Sequence, residues 1–143
     1  MRPLDLPAGG LPGYLDRAVR RFSEQSGIRA EFVAEDRSAA LLPRHHAVAL
    51  ARIAQEALAN VRKHSAATRV IITLQKDVDA THLVIHDNGR GFDPQRHTTP
   101  EAIAESVRDL GGGLTIESSP GRGARLEITV PGRRLPAMQK VAS

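Results

Sequence analysis

The feature that most constrains the fold is a long helical pattern that is followed directly by two strand patterns. Between 43 and 65 apolar residues recur at helical spacing, which predicts a helix that Pro43 opens. Its predicted apolar face consists of Val48, Leu50, Ile53, Ala54, Ala57, Leu58 and Val61. Residues 69–76 and 81–87 have the pattern of strands, and a tight polar connection joins them. The middle of the chain is therefore predicted to be a helix followed by a pair of strands.

Weaker patterns on both sides complete the predicted fold. They are helices at 11–25 and 100–110 and strands at 28–34, 114–118 and 124–130. Ser26 and Gly27 are expected to end the first helix. Pro100 is expected to be the first residue of the last helix, with Thr99 as its N-cap. The order α-β-α-β-β-α-β-β, with hairpins in the second half, predicts an α+β fold built as a two-layer sandwich.

The composition limits how the core is built and which partners suit the chain. The 143 residues suffice for one domain with a buried core, and they include only three Phe, one Tyr and no Trp. The core must therefore consist of Leu, Ile, Val and Ala. A single-stranded nucleic acid is a poor partner for such a chain, because its bases stack on aromatic side chains.

Charge and cysteine content are compatible with a phosphate-bearing ligand. The formal charge of +4 also admits a nucleic acid or a membrane surface, but acidic residues are interspersed among the basic ones. We expect no nucleic-acid partner. The absence of Cys excludes disulfides and thiolate metal sites and fits a reducing cytoplasm. No apolar run reaches the about 18–20 residues that a membrane span needs, so we expect no direct membrane contact in this chain.

Four polar residues of the long helical pattern form a candidate ligand-binding stripe. Glu56 and Asn60 are four positions apart and share one helical face, which Lys63 and His64 extend. The apolar stripe centred on Ala57 and Val61 is expected to face roughly the opposite way. A carboxylate, a carboxamide oxygen and a Lys suit a hydrated Mg²⁺ that carries phosphate oxygens. Taken alone, the same residues would more often be an ordinary solvated face.

A second candidate site follows the strand pattern that ends at Asp87. A carboxylate at a strand end can accept a hydrogen bond from an exocyclic amine, such as that of adenine. Gly89 and Gly91 would let the backbone approach a flat ring, because glycine has no Cβ. The alternative is a plain hairpin turn, although no matching strand pattern follows Gly91 directly.

Three segments together resemble the ATP-binding domain of the sensor histidine kinases. QEALANVRKH at 55–64 resembles the N box of that family, and DNGRGFDP at 87–94 resembles its first glycine box. LGGGLTIESSPGRG at 110–123 is similar to its closing hairpin. The sequences of these three segments are most similar to those of the nitrate-sensor-like kinases that signal to helix-turn-helix response regulators. The resemblance covers about 11–131, with 1–10 as a lead-in and 132–143 as a flexible tail.

The resemblance implies a Bergerat ATP-binding fold, with a mixed, mostly antiparallel sheet and three main helices. ATP would lie between the sheet and the helices. Asn60 would coordinate Mg²⁺, and Asp87 would bind the adenine amino group. Gly89 and Gly91 would pack beside the base and the sugar.

The remaining site residues implied by the resemblance belong to the polar stripe. Glu56 is the implied catalytic residue, which would orient a metal-bound water or assist proton transfer. Lys63 or His64 would lie toward the phosphates, and a structural role for His64 stays equally open.

The implied reaction is in-line phosphoryl transfer from ATP, in which positioning and charge neutralisation supply most of the catalysis. The acceptor would be a His on a separate dimerisation domain of the same kinase, which passes the phosphoryl group to a response regulator. None of the six His in the chain has a convincing acceptor context. The resemblance implies a cytoplasmic location, either in a cytoplasmic kinase or in the cytoplasmic part of a membrane-bound sensor.

The chain departs from the family pattern at two places. The family would have a second glycine box at about 97–100, where this chain reads HTTP, and the stretch from Gly91 to His97 is short for a lid over ATP. Pro100 lacks one N–H that could contact a phosphate, and Glu101 adds a negative charge there. After Gly123 the family usually has a Thr near adenine, where this chain has Ala124.

These departures leave three interpretations open. The domain is active with a minimal lid, it binds ATP weakly, or it is a degenerate scaffold that docks kinase or regulator partners. An engineered change of the lid would also account for them. A serine kinase of the anti-sigma-factor type and a DNA-binding protein fit the sequence less well.

Overall fold

The computed structural model describes residues 6–7, 9–35, 42–93 and 100–132. They form helix α1 (Gly10–Ser26), strand β1 (Arg29–Ala34), helix α2 (Arg44–Asn60), strands β2 (Arg69–Lys76) and β3 (Ala80–Asp87), helix α3 (Glu101–Asp109), and strands β4 (Gly113–Ser118) and β5 (Ala124–Pro131). A single π-helical turn, Val61–Ser65, extends α2. Residues 94–99, which include Thr99 and most of the stretch expected to form the lid, lie outside the described residues, as do 1–5 and 8 of the predicted lead-in and 133–143 of the predicted tail.

The five strands form one mixed sheet in the order β1-β2-β3-β5-β4. β1 pairs with β2 in parallel, and the other three pairings are antiparallel. The three helices pack together on one face of this sheet, with α2 between α1 and α3. The predicted α+β two-layer sandwich is confirmed, including the order of its elements. None of the helices in the described ranges is long and apolar enough to cross a lipid bilayer.

The core lies between the sheet and the helices and consists of aliphatic side chains. Alternate residues of the strands point into it, because side chains on a strand alternate between the two faces of the sheet. Its largest fully buried members are Leu11, Leu15, Leu50, Ile53, Val70, Ile72, Leu74, Leu83, Ile85, Ile103, Ile128 and Val130. Each contributes about 1.5–3 kcal/mol through the area it removes from water.

Local geometry explains where two of the helices begin and end. Gly27 ends α1 in the left-handed region (φ 75°), where its N–H donates to the Ser23 carbonyl. Pro100 precedes α3 as its N-cap and is not its first residue, which corrects the sequence prediction. The φ of Pro100 suits a helix, but its ψ of 135° is extended, so the helix begins at Glu101.

Val48 corrects the predicted apolar face of α2. The other six predicted residues are buried in the core, whereas Val48 is half-buried and lines a shallow groove between α2 and α3 with Arg52 and Leu110. Val48 lies at the edge of the predicted apolar stripe, beside the groove, so the buried stripe is narrower than predicted. Sequence periodicity does not show where a neighbouring helix stops covering such an edge.

Truncating Leu50 is expected to cost far more stability than truncating Val48. Leu50 is fully buried, so Leu50→Ala should lower the free energy of unfolding by about 2–5 kcal/mol through lost burial and a residual cavity. Val48→Ala, at a half-buried position, should cost about 1 kcal/mol or less. Urea denaturation of both variants measures the difference. Equal losses would place Val48 in the core after all.

Candidate functional site

A cavity with a volume of about 540 Å³ opens between the end of α2 and the sheet. This volume lies within the about 300–1,000 Å³ of small-molecule sites. Its apolar wall comes from both layers, with Ile85, Ile116 and Leu126 on the sheet and Ala57 and Val61 on the helix side. Its polar lining residues are Asn60, His64, Ser65, Asp87 and Arg90. A flat apolar group with polar atoms at its edges matches such a lining.

Asp87 is the buried acid of this cavity. It ends β3 between Val70 of β2 and Ala124 of β5, and only 6% of it is exposed. Its Oδ1 accepts a hydrogen bond from the Gly89 N–H at 2.8 Å. Within the described residues no other hydrogen bond to this carboxylate occurs. The strand therefore holds a desolvated acceptor at the cavity wall.

Burial raises the pKa of Asp87 above the usual value of 3.8, and the Gly89 hydrogen bond and nearby His86 oppose that shift. Because the pKa is higher in the folded state than in the unfolded state, the protonated carboxyl stabilises the fold below about pH 4. This stabilisation is lost as the pH rises through the folded-state pKa. At neutral pH the ligand-free domain therefore carries a destabilising charge. The same desolvation makes the carboxylate a strong acceptor for a donor that enters the cavity.

Asp87→Asn is expected to raise the melting temperature of the ligand-free domain at pH 7. The carboxamide oxygen can still accept from the Gly89 N–H, and the buried charge is gone. The gain over the unmutated chain should shrink as the pH is lowered toward 3.8. Thermal unfolding across this pH range, with the exposed Asp79→Asn as control, measures it. A lower melting temperature at pH 7, or a gain that does not change with pH, contradicts this account.

Three glycines are required by close packing of backbone around Asp87. A Cβ on Gly89 would overlap the Ser65 carbonyl oxygen, one on Gly91 that of Ser119, and one on Gly123 that of Asp87. Gly91 lines the cavity, whereas Gly89 is buried beside it and does not. The sequence predicts that Gly89 and Gly91 let the backbone approach a flat ring. In the structure, backbone atoms of the protein itself occupy the space that a side chain at either position would need.

Asn88 has a structural role that the sequence analysis missed. Its Oδ1 accepts hydrogen bonds from the backbone N–H groups of Thr68 and Arg69, at 3.0 and 2.9 Å. Its Nδ2 donates to the Thr68 Oγ1 at 2.9 Å. The side chain thus joins the start of β2 to the end of β3. Its partners are about twenty positions away, so only the strand pairing could have indicated them.

The structure separates the four residues of the predicted polar stripe. The half-buried Asn60 and the exposed His64 line the cavity, whereas Glu56 and Lys63, which are also exposed, do not. Ala57 also lines the cavity beside Asn60. The expectation that the apolar stripe faces away from Asn60 is therefore wrong. Ala57 precedes Asn60 by three positions, so the two side chains are neighbours on the helix surface.

The two departures from the family pattern that fall on described residues both lie at this cavity. Ala124 is buried, lines the cavity and pairs with Asp87 across the sheet, so a methyl group stands beside the carboxylate. Pro100 lines the cavity at the start of α3, where it offers no N–H. Residues 97–99 lie outside the described residues.

Comparison with known families agrees with this geometry. Residues 45–134 match the family described as "Histidine kinase-, DNA gyrase B-, and HSP90-like ATPase". That segment holds α2, the glycine-rich turn and the closing hairpin, which together form the cavity. The chain belongs to this family of ATPases.

Individual relatives show which members of that family the chain is similar to. The chain is 33% identical over 135 residues to the signal transduction histidine-protein kinase/phosphatase DegS of Brevibacillus brevis, a match that covers 92% of this chain and 35% of that protein. It is 33% identical over 90 residues to the nitrate/nitrite sensor protein NarX of Escherichia coli, covering 62% of this chain and 14% of the relative. The chain thus spans about a third or less of these relatives. It is a histidine kinase ATPase catalytic domain.

Solved structures support the fold. The ATP-binding domain of PrrB from Mycobacterium tuberculosis superposes with a TM-score of 0.67 at 23% identity, covering 87% of this chain and 96% of that one. The histidine kinase domain of a blue-light activated histidine kinase from Erythrobacter litoralis superposes with a TM-score of 0.67 at 20% identity, covering 92% and 64%. The predicted Bergerat fold is confirmed.

Proposed function

We propose that the cavity binds ATP with Mg²⁺ and that the protein containing this domain, 11–131, is a cytoplasmic protein-histidine kinase. The γ-phosphoryl group would go to a His on a separate dimerisation domain and then to a response regulator. The family and the kinases it contains support this proposal. The observation that carries it is the desolvated Asp87 carboxylate at the apolar wall of a cavity that Asn60 also lines.

The adenine base fits the apolar part of the cavity. Ile85, Ile116 and Leu126 present a flat aliphatic surface on the sheet, and the helix residues close the other side. The Asp87 carboxylate accepts a hydrogen bond from the exocyclic amine of the base, and Gly91 lies beside the base and sugar. Such a base-specific acceptor discriminates against bases that present an oxygen at that position.

The phosphates and the metal fit the helix side of the cavity. The Asn60 carboxamide oxygen supplies one ligand, which suits a Mg²⁺ that keeps most of its waters. When bound, the ion offsets the charge of the phosphate oxygens. His64 would donate toward the phosphates from the π-helical turn. Lys63 would add positive charge near the phosphates, and Glu56 would orient a metal-bound water or assist proton transfer.

A second candidate function is a scaffold domain that docks kinase or regulator partners without turning over ATP. Two residues of the cavity wall favour it. Pro100 provides no N–H for a phosphate at the start of α3, and Glu101 follows it with a negative charge. Ala124 provides no hydroxyl beside the base.

Titration with a non-hydrolysable ATP analogue, with and without Mg²⁺, distinguishes the two functions. The kinase proposal predicts Mg²⁺-dependent binding that Asn60→Ala weakens by about tenfold, as expected for loss of one charge-assisted contact. Adenosine binding by Asn60→Ala should stay within about twofold, because the base contacts remain. Gln55→Ala, an exposed change on α2, serves as the control. Absence of binding at millimolar analogue would contradict the kinase proposal and leave the scaffold function.

A further inference from the structure

Arg90 connects the three segments that surround the cavity mouth. Its backbone N–H donates to the Ser65 carbonyl at 2.6 Å, and its side-chain Nε donates to the His64 carbonyl at 2.6 Å. Its own carbonyl accepts from the Gly121 N–H at 2.5 Å. The glycine-rich turn is thereby attached to the end of α2 on one side and to the β4–β5 turn on the other. Arg90 also lines the cavity.

The two carbonyls that Arg90 binds belong to the end of the π-helical turn. The last carbonyls of a helix have no partner within the helix and need an external donor. The chain leaves this turn sharply, because Ala66 adopts a left-handed conformation (φ 53°) that is unfavourable for a residue with a Cβ. The Ser65 hydroxyl stabilises this end of the turn, because it donates to the Val61 carbonyl and accepts from the Ala67 N–H.

The position of the His64 side chain depends on this turn. Arg62, Lys63 and His64 of the π-helical segment are all exposed, but His64 alone of these three lines the cavity. A single π turn inserted in a helix shifts the side chains that follow it and is frequent at functional sites. Without the Arg90 side chain the His64 carbonyl would lose its donor, whereas the Ser65 carbonyl would keep the Arg90 backbone N–H.

We propose that Arg90 is a positioning residue that acts through His64. Its guanidinium fixes the π-helical turn Val61–Ser65, and so holds the His64 side chain toward the phosphate end of the bound nucleotide. The inference rests on the proposed function for its effect on binding. The effect on the turn itself is independent of any ligand.

Amide hydrogen exchange of the ligand-free chain tests the effect on the turn. Arg90→Met keeps the aliphatic stem and the backbone N–H but loses the side-chain donor to the His64 carbonyl, and it should raise exchange at residues 61–65 by about fivefold or more. Arg90→Ala should do the same, and amides of β2 and β3 serve as the reference for global stability. Arg122→Ala, which removes the same charge in the neighbouring β4–β5 turn without lining the cavity, should leave these amides unchanged. Exchange at 61–65 that does not respond to Arg90→Met overturns the proposal.

A double-mutant cycle on the Mg²⁺-bound ATP analogue tests the action through His64. Arg90→Met and His64→Ala should each weaken binding by about fivefold to tenfold, and the double variant should bind no more weakly than either alone. Adenosine binding should change by less than about twofold in all three. Multiplicative effects of the two substitutions would overturn the positioning role and indicate direct contact with phosphate. Absence of nucleotide binding by the unmutated chain would refute the proposed function, and hydrogen exchange would then decide on Arg90 alone.

Discussion

Asp87→Ala is expected to weaken binding of a Mg²⁺-bound ATP analogue by about tenfold to a hundredfold. The substitution removes the buried carboxylate of the cavity, which is the one buried acidic side chain among the described residues that line it. A hydrogen bond to a charged group contributes about 1.5–3 kcal/mol, which corresponds to this range of affinity. The variant also frees the Gly89 N–H, so the turn loses an internal contact. Isothermal titration of the folded variant measures the loss.

Two controls separate loss of the base contact from general damage. Asp109→Ala removes an exposed carboxylate of α3 that does not line the cavity, and it should leave affinity unchanged. Asp87→Asn should leave the domain at least as stable as the unmutated chain and still lose affinity, because a neutral amide is a weaker acceptor. Affinity that survives in both Asp87 variants would show that the base lies elsewhere.

Gly123→Ala is expected to lower the free energy of unfolding by about 2–5 kcal/mol. Gly123 has a φ of 72°, and a left-handed backbone costs about 1–2 kcal/mol with any ordinary side chain. Its added Cβ would also overlap the Asp87 carbonyl, which belongs to the paired strand and cannot move alone. Overpacking of that kind costs about 1–3 kcal/mol more. Urea denaturation gives the sum.

Gly121→Ala in the same turn is the matched control. Gly121 also has a positive φ, of 81°, but a Cβ there would meet nothing within 4 Å. Gly121→Ala should lower the free energy of unfolding by only about 1–2 kcal/mol, the cost of a left-handed backbone. It keeps the N–H that donates to the Arg90 carbonyl. Equal losses for the two variants would mean that conformation dominates and that the approach to Asp87 is unimportant.

The element order was predictable because hydrophobic periodicity is strong in this chain, whereas the mixed, mostly antiparallel sheet was expected only from the resemblance to the family. Leu83 and Ile85 alternate with His82 and His86, and the two sets do lie on opposite faces of β3. Element ends were less predictable, because they depend on single dihedral angles. Pro100 has the φ of a helix and the ψ of an extended chain, and residue type alone does not reveal the second value.

The residues of the candidate site were predictable where a motif contains them. Asp87 and Asn60 do line one cavity, and the motifs in which they lie are far apart in sequence. Asn88 and Gly123 were missed, because their roles arise from strand pairing that spacing cannot express. The π-helical turn was also missed, since a change of helical pitch over one turn leaves little trace in hydrophobic pattern.

An adenine nucleotide is proposed to occupy the cavity next to Asp87. Nuclear magnetic resonance of the ¹⁵N-labelled chain, titrated with a Mg²⁺-bound non-hydrolysable ATP analogue, shows whether it does. We predict saturable shifts of the amides of Asn60, His64, Asp87 and Gly91, with little change at Val48 and Arg52 in the groove between α2 and α3. No shift at millimolar analogue, or shifts confined to that groove, would contradict the claim.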